Sequence, residues 1–177
     1  MELHDILDRA LTSSAEVVRS VTPEQADLPT PCREWDVRTL TNHLLLVVDA
    51  LALAGRGEPV PDEHWTGTGS GSFDVAAAWK DPGAWERTVR MGAMPMPAEM
   101  AVSMLLSDVV IHGWDLARAT GQTFPADDEA AAVALRFLTT MGDQGRAMGI
   151  FDAAVPVAAD APAFDRALAL SGRDPSH

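Results

Sequence analysis

Leu105–Gly121, LLSDVVIHGWDLARATG, sets ionisable groups into what otherwise reads as a buried helix. At 100° per residue, Asp108, His112 and Asp115 fall within an arc of about 60° on one helical face. The other positions from Ala101 to Trp114 are apolar or glycine, with only Ser103 and Ser107 between them, so no broad solvent face remains to take the charges. Carboxylates and imidazoles turned inward need a counter-charge, a hydrogen-bond network or a metal, because an unpaired buried charge costs several kcal/mol or is neutralised.

The best upstream partner lies in Asp36–Gly55, DVRTLTNHLLLVVDALALAG. Val37, Leu40, Leu44, Val47, Leu51 and Ala54 repeat at three- and four-residue spacing and form a core-facing stripe, with His43 at its border. Two imidazoles and a carboxylate suit Zn²⁺, Ni²⁺ or Fe²⁺, and three protein ligands leave coordination positions open, as in catalytic rather than structural sites. The alternative is a buried Asp–His–His network without metal.

Composition narrows the classes. The chain has 177 residues, 47% of them hydrophobic, enough for one domain with a full core over 1–177, residues 152–177 being an extension packed on the bundle. With 26 acidic against 13 basic residues the formal charge is −13, which repels phosphate backbones, and no basic run is interleaved with aromatics. Nucleic acid is not expected as a partner. No apolar run reaches the roughly 20 residues that span a bilayer, and MELHDILDRA has no signal pattern, so a cytoplasmic protein without a membrane partner is expected. The single cysteine, Cys32, makes neither an intrachain disulfide nor a cysteine-rich zinc cluster, so N and O ligands must hold any metal.

In chain order, residues 2–20 carry an amphipathic helix. Thr22-Pro23-Glu24 opens a short turn, and Leu28–Pro31 forces an extended segment ending at Cys32. Asp36 is the N-cap of the second helix, with Trp35 stapled against it. Residues 55–72 form a Gly/Pro/Ser/Thr-rich loop holding His64 and Trp65, either a binding loop approaching the site or a plain connector. Phe73–Val89 is expected as a third helical region broken at Asp81-Pro82-Gly83, and Met91–Pro97 as a turn. Pro97 starts a helix to Thr120 with Gly121 as its left-handed cap. A fifth helix over 126–148, an extended piece around Val155–Val157 and a small helix over 161–170 follow. Long helices and almost no period-2 segments give an all-α bundle with the site between the second helix and the one that starts at Pro97.

TPCREWDVRTLTNHL, DVVIHGWDLARATGQ and the terminal LALSGRDP together resemble an actinobacterial-type family related to mycothiol-dependent maleylpyruvate isomerase, within the DinB/YfiT-like metalloenzyme superfamily. The resemblance implies an all-α, DinB/YfiT-like four-helix bundle with extra short helices and a small C-terminal extension. It also implies a divalent metal on His43, Asp108 and His112, with Zn²⁺ the expected ion and Ni²⁺ or Fe²⁺ the alternatives. The isomerase branch typically has Glu where this chain has Asp108, one methylene shorter, so the helices must approach more closely or a water must fill the gap.

Around that set, Asp115 reads as the carboxylate that orients a ligating imidazole. Arg118 complements the C-terminal helix dipole or binds an anionic cofactor or substrate. Trp114 and Met91, Met94, Met96, Met100 and Met104 read as packing, and Cys32 as a small buried hydrophobe, with a reactive thiol as the other reading. The leading function is a mycothiol (low-molecular-weight thiol)-dependent transferase or isomerase, in which the metal holds the thiol as thiolate for attack on a small electrophile. A metal-dependent hydrolase and a non-catalytic metal- or small-ligand-binding module are the alternatives, and the protein is expected as monomer or homodimer.

Overall fold

Amphipathic periodicity fixes the first helix of a computed structural model that describes Leu3–Ser176, apart from the side chain of Ala76. Helix α1 (Leu3–Arg19) buries Leu7, Ala10, Leu11, Ser14, Ala15 and Val17 and leaves Asp8, Glu16 and Arg19 exposed. The expected start at Glu2 lies outside the described residues.

Helix α2 (Val37–Arg56) begins where the sequence places it, with the Asp36 carboxylate accepting from the Thr39 amide at 2.8 Å. All six stripe residues, Val37 to Ala54, are buried, which turns His43 toward the edge of the core. After the left-handed end at Gly57, the loop returns along α2 rather than hanging free. The Asn42 amide donates to the Gly67 carbonyl and accepts from the Gly69 amide, and Asp49 accepts from the Ser70 amide. Residues Asp62–Thr66 make a 3₁₀ turn within it.

The third helical region is reduced to one turn on each side of the expected break at Asp81-Pro82-Gly83, and its end is a strand. Ala76–Trp79 forms a 3₁₀ turn and α3 (Pro82–Trp85) a single α turn, followed by β1 (Thr88–Met91) paired antiparallel with β2 (Met94–Pro97). Val89 is buried between exposed Thr88 and Arg90, a two-residue alternation. The turn passes through Gly92 at φ 58°. Pro95 and Pro97 are tolerated because a two-stranded ribbon has only edge strands. The expected turn over Met91–Pro97 is thus half of a hairpin.

Helix α4 (Ala98–Thr120) starts one residue later than expected, after Pro97, and ends at Gly121 with φ 72°. Fifteen of its 23 residues are buried, because it packs against α1, α2 and α5 (Asp128–Ala147) at once. Close approach to α1 requires Gly113: a Cβ there would lie 2.6 Å from the Phe124 ring and 2.7 Å from Ser14 Oγ. Ser14 Oγ donates to the Val109 carbonyl at 3.0 Å. Asp127 caps α5 by accepting from the Glu129 and Ala130 amides. Helix α6 (Ala163–Leu170) lays Ala167 and Leu168 against Ala134 and Leu138 of α5 and Ile111 and Trp114 of α4. The piece around Val155–Val157 is no strand; its Val155 amide donates to the Ala169 carbonyl.

The result is an all-α, DinB-like arrangement of α1, α2, α4 and α5 with one small hairpin. Against the sequence expectation, Val37–Arg56 and Ala98–Thr120 are long and apolar enough, by length and composition, to cross a membrane; in the fold they are core helices, with 50% and 78% of their most apolar windows buried.

Candidate metal centre

His43 projects from α2 toward His112 of α4, and their rings meet edge-on at 5.0 Å between centroids. The segment before α2 supplies the third ring. The Trp35 amide donates to the Cys32 carbonyl, and Thr30 Oγ1 donates to the Cys32 and Trp35 carbonyls. This knotted turn sets the Trp35 ring 4.5 Å from that of His43 and 5.7 Å from that of His112. From the long loop, the Trp65 ring comes to 6.1 Å from that of His43. Two tryptophans thus wall two imidazoles.

His112 is buried, and its Nδ1 lies 3.0 Å from Asp115 Oδ2. Asp115 is fully buried, and Arg173, beyond α6, reaches it with Nη2 at 2.8 Å from Oδ2 and Nε at 3.2 Å from Oδ1. Burial alone would push the Asp115 carboxyl up; hydrogen bonds from His112 and Arg173 hold it below the ordinary carboxylate range. An ionised carboxylate only accepts, so Nδ1 of His112 donates to it, and in the neutral ring Nε2 is then the nitrogen that keeps a lone pair. The orienting role expected of Asp115 is the arrangement observed.

Asp108, one turn before His112, is treated differently. Among the described residues no side-chain or backbone donor bonds its half-buried carboxylate, and burial drives it above its ordinary range against the pull of His112 and Arg173. Burial and the neighbouring His112 lower His43 to about 3, so it is a neutral imidazole with lone-pair capacity. Neither ring nitrogen of His43 has a hydrogen-bond partner among the described residues, and His112 Nε2 has none either. Neutral imidazole nitrogens and a carboxylate oxygen left free by the protein are the donor types a borderline divalent cation takes, so in donor chemistry these residues suit such an ion.

The ligand atoms of the expected trio, His43, Asp108 and His112, do not all come within 4.8 Å of one another; the group among the described residues that does shares only His112 with it. Ligand atoms of Cys32, His112 and Asp115 all lie within 4.8 Å of one another, a spacing that could hold a metal ion. Here both Asp115 oxygens already accept from Arg173, whose guanidinium would repel a cation. Burial pushes the Cys32 thiol up, offset in part by Arg173. The half-buried thiol packs on the core, as its reading as a small hydrophobe requires, but it also borders the site.

Arg118 is exposed, its guanidinium carbon 6.0 Å from the Trp114 ring centroid. His64 is tied by Nε2 to the Leu46 carbonyl at 2.7 Å; the loop brings Trp65, not His64, to the centre. Trp114 is buried, and Met91, Met96 and Met104 pack on the core, whereas Met94 and Met100 are exposed. Sequence reasoning missed Arg173. The signals were the unmet demand for a counter-charge to Asp115 and the place of Arg173 in the terminal LALSGRDP stretch, to which no role was given.

Residues 7–80 match the model of the mycothiol maleylpyruvate isomerase N-terminal domain. Two uncharacterised proteins of Mycobacterium tuberculosis, Rv0738 and MT0763, are each 30% identical over 174 residues, spanning 93% of this chain and 94% of theirs. No solved structure matches the chain significantly. With near full-length similarity to these proteins and with that domain at its front, the chain belongs to the actinobacterial, DinB-like family related to mycothiol maleylpyruvate isomerase.

Proposed function

We propose that the protein is a metal-dependent enzyme that joins or relays a low-molecular-weight thiol, mycothiol by family, onto a small electrophile, as a transferase or isomerase. The observation that carries this reading is the meeting of the His43 and His112 rings between α2 and α4 beside Trp35, with no protein partner on either His43 nitrogen among the described residues; Asp108, one turn before His112 and without a donor of its own among the described residues, is the third ligand the proposal assigns. A bound divalent ion, Zn²⁺ first, would supply positive charge and an open coordination position that acidifies a thiol.

This chain's own residues do the positioning. Asp115 keeps the His112 ring fixed and its Nε2 bare. His43, neutral at physiological pH, offers a lone pair without competing protonation. Trp35 and Trp65 keep bulk water from the imidazoles and give the electrophile an apolar wall. The expected partners are a small thiol and a small electrophile.

The test is metal content by plasma mass spectrometry on untagged protein, wild type against His112→Ala, followed by cobalt loading and thiol titration. Near-stoichiometric metal lost in the variant, with a cobalt spectrum that changes on adding mycothiol, supports the reading. Protein that stays metal-free after reconstitution with Zn²⁺, Ni²⁺ and Fe²⁺ overturns it. A cobalt spectrum indifferent to thiols overturns the thiol chemistry.

A further inference from the structure

We propose that Arg173 is a positioning residue, which fixes His112 in the tautomer protonated on Nδ1 and so completes the site from the segment beyond α6. The metal-binding consequence rests on the function proposed above; the tautomer does not.

The chain is folded to deliver this one side chain. Ser171 Oγ donates to the Leu168 carbonyl, Gly172 turns the backbone at φ 87°, and the Arg173 amide returns to the Leu168 carbonyl at 2.9 Å. Gly172 is needed for space as well as for φ: a Cβ there would meet Asp152 Cβ at 2.5 Å and its Cα at 3.1 Å. Nη1 of Arg173 then donates to the Ser171 carbonyl at 2.9 Å, which fixes the guanidinium plane. Nε and Nη2 meet the two oxygens of Asp115 side-on, a fork that only arginine presents.

Asp115 Oδ2 is the shared atom, accepting from Arg173 Nη2 at 2.8 Å and from His112 Nδ1 at 3.0 Å. Two of the three hydrogen bonds that orient this carboxylate come from Arg173. Without them the carboxylate can rotate off the Nδ1 axis, and the imidazole is free to carry its proton on Nε2, the nitrogen that faces away from Asp115. A protonated Nε2 cannot donate a lone pair to a cation. The guanidinium thus acts on His112 through Asp115, over 58 residues of sequence.

Long-range ¹H–¹⁵N NMR of the metal-free, full-length protein at alkaline pH reads the tautomer directly. The expected wild-type result is a proton on Nδ1 and a bare Nε2 of His112; Arg173→Gln shifts the population toward Nε2–H, and Arg173→Lys lies between. Zn²⁺ affinity is expected to fall about 10- to 100-fold in Arg173→Gln, the range for loss of an orienting partner. A wild-type His112 protonated on Nε2 overturns the proposal without any variant. Variants that retain the wild-type tautomer overturn it too, Arg173→Lys serving if Arg173→Gln does not fold. Should no form bind Zn²⁺ while the tautomer shifts as stated, the proposed function fails and the role of Arg173 stands.

Discussion

Taking the metal-free protein from pH 7 to pH 5 adds a proton to His43 in the unfolded chain and none in the folded one. Folding lowers this imidazole from 6.5 to about 3 through burial and the adjacent His112. In that window the unfolded state binds more protons, so the contribution of His43 to stability is complete above 6.5 and is lost as pH falls toward 3. Integrating the linkage relation between those two values gives about 2 kcal/mol lost from pH 7 to pH 5, and about 1.4 kcal/mol for each further unit until the folded ring titrates. Asp108 opposes this, because its raised carboxyl takes up a proton in the folded state first. The loss due to Asp115, whose carboxyl is lowered, comes only below the ordinary carboxylate value. The quantity to measure is therefore the difference between wild type and His43→Gln, by urea unfolding in chelator with tryptophan fluorescence at half-unit steps of pH. The wild type should lose about 2 kcal/mol more than the variant between pH 7 and pH 5. Parallel curves for the two proteins would show that His43 is solvated and readily charged, and the donor set would lose its neutral imidazole.

Three further outcomes follow from the packing. Asp115→Ala strands the buried Arg173 guanidinium and should cost about 3–5 kcal/mol, while adding Arg173→Met should recover much of it; urea unfolding of the four proteins closes the cycle, and additive losses would contradict direct pairing. Gly113→Ala forces a methyl into Ser14 Oγ and the Phe124 ring, an overpacking cost of about 1–3 kcal/mol offset by about 1 kcal/mol of helix propensity, so the thermal midpoint should fall or stay level; a clear rise would deny the close approach of α4 to α1. Asp127→Ala removes the cap of α5 and should cost about 1–2 kcal/mol in the same unfolding assay.

Where the sequence carries a period over several turns, its reading and the structure agree. The stripe Val37–Ala54 and the buried face around Asp108, His112 and Asp115 follow from spacing, and Asp36 and Gly121 mark helix ends by capping chemistry alone. The hairpin was hidden because its strands are four residues each, too short for a two-residue period to stand out, and because Trp79, Trp85 and Val89 mimic helical spacing. The candidate centre divides the same way. His43, Asp108 and His112 lie on long helices whose faces can be calculated, and α2 and α4 do bring the two imidazoles together. Arg173 sits in a short polar segment and reads like any surface arginine until the chain reversal at Gly172 is known. The need for a counter-charge was legible from Asp115; its supplier was not, because a contact across 58 residues leaves no local pattern.

Asp108 and Asp115 stand on the same helix, seven residues apart, and their opposite treatment separates the parts of the site that hold the fold together from the part that burdens it. Asp115 receives three hydrogen bonds and stays ionised without strain on the fold. Asp108 receives none among the described residues, and its ionised form is destabilised by burial at neutral pH. An uncompensated group of this kind costs on the order of 1 kcal/mol when half-buried. Asp108→Asn should therefore raise the stability of the metal-free protein at pH 7, the reverse of what loss of a bonded aspartate does. The same variant should forfeit the gain from metal, which for a wild-type site at a hundred times its dissociation constant is about 2.7 kcal/mol. Thermal melts of both proteins, with chelator and with Zn²⁺, give four values in which the order of the two proteins inverts on adding metal. A less stable metal-free Asp108→Asn would mean that the carboxylate serves the fold, and the pairing of His43 with His112 would then have no third donor.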